Sequence, residues 1–207
     1  FMHRYKMSKK VNYHSNVIPL DFSPAKLVSN TSTLINSDID KKNLSNRDLV
    51  KVLQKNNLKL HNIKINKPYI GVIIGGAAKG VCWNIKVASV LCNYLNNLAI
   101  KNNASLFITT SRRTGDKISY FIQNQLKGNF FWQFNPNDKY NPYLDIITTS
   151  DILVVTAETT SMIADCITLN PIAKVLLFDD IRFKGKRFKP FRNFLYNNNY
   201  AASLKDG

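Results

Sequence analysis

The chain has 207 residues, 44% of them hydrophobic, which suits one full domain and part of another. It carries 29 Lys and Arg against 13 Asp and Glu, a net charge of +16, and such a surface attracts nucleotides, phosphorylated sugars, nucleic acid or acidic lipid. AT-rich coding produces the same excess of Lys among Asn and Ile, so charge alone does not choose among these ligands. No stretch approaches the 18 apolar residues of a membrane span, and the N-terminal FMHRYKMSKK lacks the apolar core of a secretory signal. Because the chain begins at Phe1, we expect it to be part of a longer protein.

The cysteines and histidines predict neither a disulfide nor a metal site. Cys82, Cys92 and Cys166 form no C-x-x-C pair and fall in apolar helical patterns. This predicts reduced, packed thiols and a cytoplasmic compartment. The three histidines show no metal-ligand spacing.

Residues 1–66 are polar, rich in Asn and weakly periodic. Within them, NVIPLDF predicts a short strand. NLSNRDLVKVLQKNN predicts a helix with Ser45 as N-cap and with Leu49, Val52 and Leu53 on one face. We interpret residues 1–66 as the remnant of an N-terminal domain with a linker helix.

From Pro68 onward, strand patterns alternate with helical patterns. The predicted strands are YIGVIIGG, ASLFITTS, NFFWQF, DILVVT and IAKVLLF. The predicted helices are CWNIKVASVLCNYLNNLAIKNN, DKISYFIQNQLKG, PYLDIITTS, one from about Thr160, and RFKPFRNFLYNNN. Apolar runs without polar alternation are typical of strands buried on both faces, and strand–helix alternation indicates a parallel sheet with right-handed crossovers. Residues 67–207 are therefore predicted to form a Rossmann-like, doubly wound α/β domain.

Ligands of such sheets bind beyond the carboxyl ends of the strands, and the first two strand ends carry residues suited to anions. The loop GGAAKG has paired glycines that let a backbone approach a phosphate. It matches neither G-x-G-x-x-G nor a Walker A loop, and the alternative interpretation is a tight turn. The loop SRRTG offers guanidinium forks for a diphosphate, with a solvated turn as the alternative. Adjacent arginines point in different directions, so one of the two is expected to face the ligand. The candidates in these loops are Gly75, Gly76, Lys79, Ser111, Arg112, Arg113 and Thr114.

The fourth strand runs directly into the hydroxyl-rich stretch TAETTSM. Its Ser and Thr side chains either cap the following helix or mark an anion site at the helix N-terminus. The candidates are Thr156, Glu158, Thr160, Ser161, Met162 and, one turn further on, Asp165. Taken together, the three strand ends favour an anionic ligand, above all a nucleoside diphosphate.

The run IIGGAAKG, FITTSRRTG and NPYLDIITTSDILVVTAETTSMIADCITLNPIAKVL resembles the mitochondrial-fission family called "elongated mitochondria" (ELM) in plants. Its bacterial members, common in alphaproteobacteria, are labelled fission-like proteins or nucleoside-diphosphate-sugar epimerases. The resemblance extends from about Ile70 to the C-terminus. It implies the nucleotide-binding, C-terminal domain of a GT-B glycosyltransferase fold, in which two Rossmann-like domains hold a nucleotide sugar between them.

The resemblance also implies roles for two acidic residues. An acid in the first turns of the helix takes the ribose hydroxyls, a position that falls on Asp165, where the family usually has Glu. Glu158 matches the acidic position of the family's T-x-[DE] element, where it would orient the loop or meet the sugar. TLNP and SRRTG replace the family's TGKP and SRRTP, so the resemblance leaves catalytic activity open between a glycosyltransferase or epimerase and a protein without catalysis.

The expected ligand is therefore a nucleotide or nucleoside-diphosphate sugar, without a further cofactor. A general base would come from the N-terminal domain, so no catalytic residue is named. The alternative is a non-catalytic protein of the same family that binds partners or an acidic membrane, peripheral to the inner membrane, through the basic tail RFKGKRFKPFRNFLY. In a competing interpretation, the phenylalanines of this tail pack inward. No recognition signature supports nucleic-acid binding, and we expect none.

Overall fold

The computed structural model describes residues 48–56, 58, 60, 65–180 and 188–206. Their strands form a six-stranded sheet of order β3-β2-β1-β4-β5-β6, in which every neighbouring pair is parallel. The strands are β1 Tyr69–Ile74, β2 Ser105–Thr110, β3 Phe130–Trp132, β4 Ile152–Thr156, β5 Lys174–Phe178 and β6 Ala202–Ser203. The helices are α1 Leu49–Lys55, α2 Ile85–Asn102, α3 Asp116–Gln125, α4 Tyr143–Thr149, α5 Thr160–Leu169 and α6 Lys189–Asn197.

This strand order confirms the predicted doubly wound α/β domain and locates its topological switch point between β1 and β4. All five strands predicted from Pro68 onward are present. The sixth, β6, was not predicted because its two residues are too few to show a hydrophobic period. It pairs with β5 at the edge of the sheet, with Leu176 opposite Ala202.

The sheet is covered on both faces, as a buried parallel sheet requires. All six residues of β1 are buried, and alternate side chains enter two different clusters. Ile70 packs with α2 and α3 on one face. Ile73 packs with α1, α4, α5 and α6 on the other. The apolar run in β1 therefore reflects burial on two sides.

Helix α1 packs on the sheet domain through Leu49 and Leu53, both fully buried. Its N-cap is Asp48, whose Oδ1 accepts a hydrogen bond from the Val50 amide at 3.1 Å. The predicted cap Ser45 and the predicted strand NVIPLDF lie outside the described residues. The predicted linker helix is thus part of the core packing, and the assignment of residues 1–66 to a separate domain stays a prediction.

The three cysteines are free, and two of them are buried as predicted. Burial raises the pKa of Cys92 to about 12, because the thiolate would be desolvated. Cys82 is exposed, which corrects the prediction that all three lie in packed helices. Helix α2 begins only at Ile85, after Asn84 has capped it, so Cys82 lies in the preceding loop. Within the described part of the chain, no group of three His, Cys, Asp or Glu could hold a metal, and no helix is long and apolar enough to span a membrane.

Candidate functional site

The loops after β1, β2 and β4 meet at the carboxyl edge of the sheet, and the β1 loop lies between the other two. On the β4 side, the Gly75 amide donates to the Thr156 hydroxyl at 2.8 Å and the Gly76 amide donates to Glu158 Oε1 at 2.7 Å. On the β2 side, the Ala77 amide donates to the Arg113 carbonyl at 3.1 Å. The predicted meeting of the three strand ends is therefore present in the fold. We call this place the β1/β4 crevice.

Ser111 and Thr114 connect the β2 turn to the same backbone. The Ser111 hydroxyl donates to the Gly75 carbonyl at 2.8 Å. The Thr114 hydroxyl lies within hydrogen-bond distance of the carbonyls of Ile74 and Gly75 and accepts from the Ser111 amide at 3.0 Å. Thr114 is only 3% exposed. These two candidate ligand residues thus act in holding the loops together.

The glycines are needed because neighbouring loops approach them closely. A Cβ on Gly75 would lie 2.1 Å from Thr159 Cγ2, and one on Gly76 would lie 2.1 Å from the Arg113 carbonyl oxygen. Neither glycine has a positive φ. The tight turn comes later, at Ala78–Val81, where Gly80 has φ +79° and the exposed Lys79 stands at the tip. Protein atoms therefore already fill the space beside Gly75 and Gly76.

Glu158 lies beneath the β1 loop and is 3% exposed. Its Oε1 accepts from the Gly76 amide and from the Thr156 hydroxyl, the latter at 3.0 Å, while Oε2 is buried without a partner among the described residues. Burial raises the pKa of Glu158, and hydrogen bonds from backbone amides and Thr156, together with the charge of Arg113, oppose this rise. Of the two roles left open for Glu158, this geometry supports orienting the loop.

The two arginines face different surroundings. Arg113 lies close enough to Glu158 for its charge to favour the carboxylate. Arg112 borders a separate cleft between the β2 and β3 ends. Both side chains are exposed, and neither forms an ion pair within the part of the chain that the structure describes. Arg113 is therefore the arginine of the β1/β4 crevice.

Helix α5 begins at this crevice without a side-chain cap. The hydroxyl of its N-cap, Thr159, donates backward to the Thr156 carbonyl at 3.0 Å, and it accepts no bond from the first helical amides. In the first turn, Ser161 is exposed, and Thr160 and Met162 are half-buried. The hydroxyl-rich stretch does not act as a helix cap here, so the amides at the positive end of the helix dipole remain available.

Asp165 points toward α4. Its Oδ2 accepts a hydrogen bond from the Tyr143 hydroxyl at 2.7 Å, and its Oδ1 is buried with no partner among the described residues. Burial raises the pKa of Asp165, and the bond from Tyr143 opposes this. Sequence reasoning missed this pair, although Tyr143 belongs to the NPY element that contributes to the family resemblance. The predicted role of Asp165 with a ribose stays a prediction.

The fold and this edge define the class of protein: a Rossmann-like, doubly wound α/β domain with its interlocked loops at the topological switch point. The family model described as Mitochondrial fission ELM1 matches residues 44–207, and the chain belongs to this family. The resemblance predicted from the motifs is confirmed.

Two individual comparisons accompany the family match. Over 101 residues the chain is 28% identical to the uncharacterized protein RP120 of Rickettsia prowazekii (strain Madrid E), a stretch that covers 48% of this chain and 28% of that protein. The chain thus matches less than a third of the length of this relative. The crystal structure of the FMN-dependent cysteine decarboxylase SpaF is similar at 10% identity and a TM-score of 0.39, over 70% of this chain and 85% of that one.

Proposed function

We propose that the domain binds the diphosphate of a nucleoside-diphosphate sugar in the β1/β4 crevice, as the C-terminal half of a GT-B-like, glycosyltransferase-like protein. The uncapped N-terminus of α5 beside Gly75 and Gly76 carries this proposal. Bare amides at a helix start favour phosphate, and Arg113 adds a guanidinium fork that suits phosphate oxygens.

The candidate residues divide into two groups by exposure. The groups that would meet the diphosphate are the α5 amides, the side chains of Thr160 and Ser161, Arg113 and Lys79. The buried residues keep the crevice in shape and would not touch the ligand; these are Gly75, Gly76, Thr114, Thr156 and Glu158. If the full-length protein transfers a sugar, Arg113 and the α5 amides would stabilise the charge that develops on the leaving diphosphate.

Ser161→Asp separates binding from folding. An acid in the first turn of a helix stabilises it by about 0.3–1 kcal/mol, but here the same charge would repel a diphosphate. We therefore expect calorimetric titration with UDP, GDP and ADP to show at least about a tenfold rise in Kd, with an unchanged or higher melting temperature. Ser161→Asn, which adds a similar side chain without the charge, is the matched control. Equal Kd values for wild type and Ser161→Asp would contradict a diphosphate site at α5.

The two arginines provide a second comparison in the same titration. Arg113→Ala should lose about 1.5–3 kcal/mol of binding free energy, the scale of a hydrogen bond to a charged group. Arg112→Ala should lose less, because Arg112 borders the other cleft. A larger loss for Arg112→Ala would contradict the assignment of Arg113 to the crevice.

Asp165 would bind a ribose only if its carboxylate gave up the hydrogen bond from the Tyr143 hydroxyl or accepted bonds from the ribose beside it. Asp165→Ala should then weaken nucleotide binding about tenfold or more while Tyr143→Phe, which frees the carboxylate, binds at least as tightly as wild type. If both variants have the wild-type Kd, Asp165 has no role with the ribose.

Among the described residues of the basic tail, no contact or exposed apolar face favours the membrane-surface alternative. In the basic tail, Phe188 and Phe191 are buried, and the Phe194 ring lies 5.9 Å from that of Tyr200. These aromatic side chains pack inward, as the competing interpretation of the tail predicts. Residues 181–187 lie outside the described part of the chain.

A further inference from the structure

A second cleft, of about 430 Å³, lies between the β2 turn and the segment that follows β3. This volume falls within the usual range of ligand sites, roughly 300–1,000 Å³. The cleft shares only Ser111 with the residues that form the β1/β4 crevice. We call it the polar cleft; the lining residues that matter here are Ser111, Arg112, Asp116, Ser119, Gln133 and Phe134.

The polar cleft offers both hydrogen-bond donors and acceptors that the protein leaves unused. Ser119 is 1% exposed, and its hydroxyl has no partner among the described residues. Gln133 donates from Nε2 to Asp116 Oδ1 at 2.7 Å, which orients the amide and leaves its carbonyl oxygen without a partner in the described chain. Arg112 adds guanidinium donors that make no ion pair there. A ligand in the cleft can therefore bond to the Ser119 hydroxyl, the Gln133 carbonyl oxygen and the Arg112 guanidinium.

The formal charges of the cleft cancel, in contrast to the +16 of the whole chain. Arg112 contributes one positive charge and Asp116 one negative charge. A phosphate drawn to Arg112 and to the start of α3 would meet the Asp116 carboxylate, which already occupies the first turn of that helix. The cleft therefore favours a neutral ligand that both donates and accepts hydrogen bonds.

Phe134 gives the cleft an apolar wall. It is half-buried, and its ring packs edge-on against Trp132 at 6.1 Å while its backbone amide donates to Thr110 Oγ1 at 3.1 Å. The ring is thus held in place before any ligand arrives. An aromatic face beside bidentate polar side chains matches a sugar ring, whose C–H groups pack on the ring while its hydroxyls bond at the rim.

We propose that the polar cleft binds a neutral sugar ring. We assign this ring to the sugar acceptor, an assignment that rests on the proposed function. The Ser111 turn joins the cleft to the crevice proposed for the diphosphate, because the Ser111 hydroxyl donates a hydrogen bond to the Gly75 carbonyl. Ser119, Gln133 and Arg112 are the residues that recognise its hydroxyls.

The test uses the isotopically labelled full chain without nucleotide, so that it does not depend on the diphosphate site. Methyl glucoside, N-acetylglucosamine and mannose are titrated singly to 100 mM while amide chemical shifts are followed by NMR. We expect saturable shifts, for at least one sugar, at the start of α3 and at Gln133 and Phe134. Gln133→Ala and Arg112→Ala should each raise the Kd at least about fivefold, the loss of one ordinary hydrogen bond. Lys117→Ala, which removes an exposed cation of the same helix that does not line the cleft, should leave the Kd unchanged.

Two results would overturn the proposal. One is saturation by inorganic phosphate or glucose 6-phosphate without any response to the neutral sugars, which would make the cleft an anion site. The other is no saturable shift with any neutral sugar. A protein that binds these sugars but no nucleoside diphosphate would retain the sugar cleft and lose the proposed nucleotide site, so the two failures are distinguishable.

Discussion

Thr114→Val removes the hydroxyl that joins the β1 and β2 loops and keeps the shape of the side chain. That hydroxyl has one proton to donate, to the carbonyl of Ile74 or Gly75, and it accepts from the Ser111 amide. Two hydrogen bonds are lost at about 1 kcal/mol each, and a partner left unsatisfied beneath a residue that is 3% exposed adds to this. We expect a loss of about 2–3 kcal/mol in the free energy of unfolding, which in a domain of this size lowers Tm by about 4–12 °C.

The assay is urea unfolding and thermal melting of wild type, Thr114→Val and Thr114→Ser. The serine variant keeps the hydroxyl and loses one buried methyl, so it should cost only about 1 kcal/mol. If Thr114 served only a ligand, the valine variant would be as stable as wild type. A change below about 0.5 kcal/mol in Thr114→Val, or a larger loss in Thr114→Ser, would refute the argument that this hydroxyl holds the loops together.

Three further predictions concern the same edge and the loop that follows it. Gly76→Ala should lower the free energy of unfolding in urea by about 3 kcal/mol, because its Cβ would lie 2.1 Å from the Arg113 carbonyl oxygen. Gly80→Ala has open space around its Cβ and should cost only about 1 kcal/mol, for its left-handed backbone. A larger loss for Gly80→Ala than for Gly76→Ala would contradict this reasoning. Burial raises the pKa of Glu158 from 4.5, so the folded state binds its proton more tightly and the contribution of Glu158 to stability declines as pH rises above 4.5. Glu158→Gln removes this titration, so its free energy of unfolding should rise relative to that of wild type as pH rises, by at most about 1.4 kcal/mol per pH unit. If the difference in unfolding free energy between the two proteins is constant from pH 4 to pH 8, the pKa of Glu158 is not raised. In the native protein a maleimide should modify Cys82 alone, and mass spectrometry that finds either buried cysteine labelled equally fast would contradict their packing.

The sequence by itself determined the fold class and the family. Parallel strands buried on both faces and amphipathic helices are local patterns, so the order of elements from β1 to α6 could be read from composition and period. The motifs at the strand ends identified the family and the edge of the sheet to inspect, because parallel strands place their carboxyl ends together. Local patterns did not predict β6, which is very short, or the start of α2, which the cap Asn84 places later in the chain.

Only the tertiary structure decided which residues at that edge face inward. The bonds from Gly75 and Gly76 to Thr156 and Glu158 join residues 81 and 82 positions apart, and no local periodicity encodes such a pairing. In the sequence, the neighbouring residues Thr156, Glu158 and Ser161 are equally good candidates for contact with a ligand. In the fold the first two are desolvated and hydrogen-bonded to backbone, and Ser161 alone is exposed at the start of α5. Burial and distant partners, which depend on how the three loops pack, separate the residues that build the crevice from those that can meet a ligand.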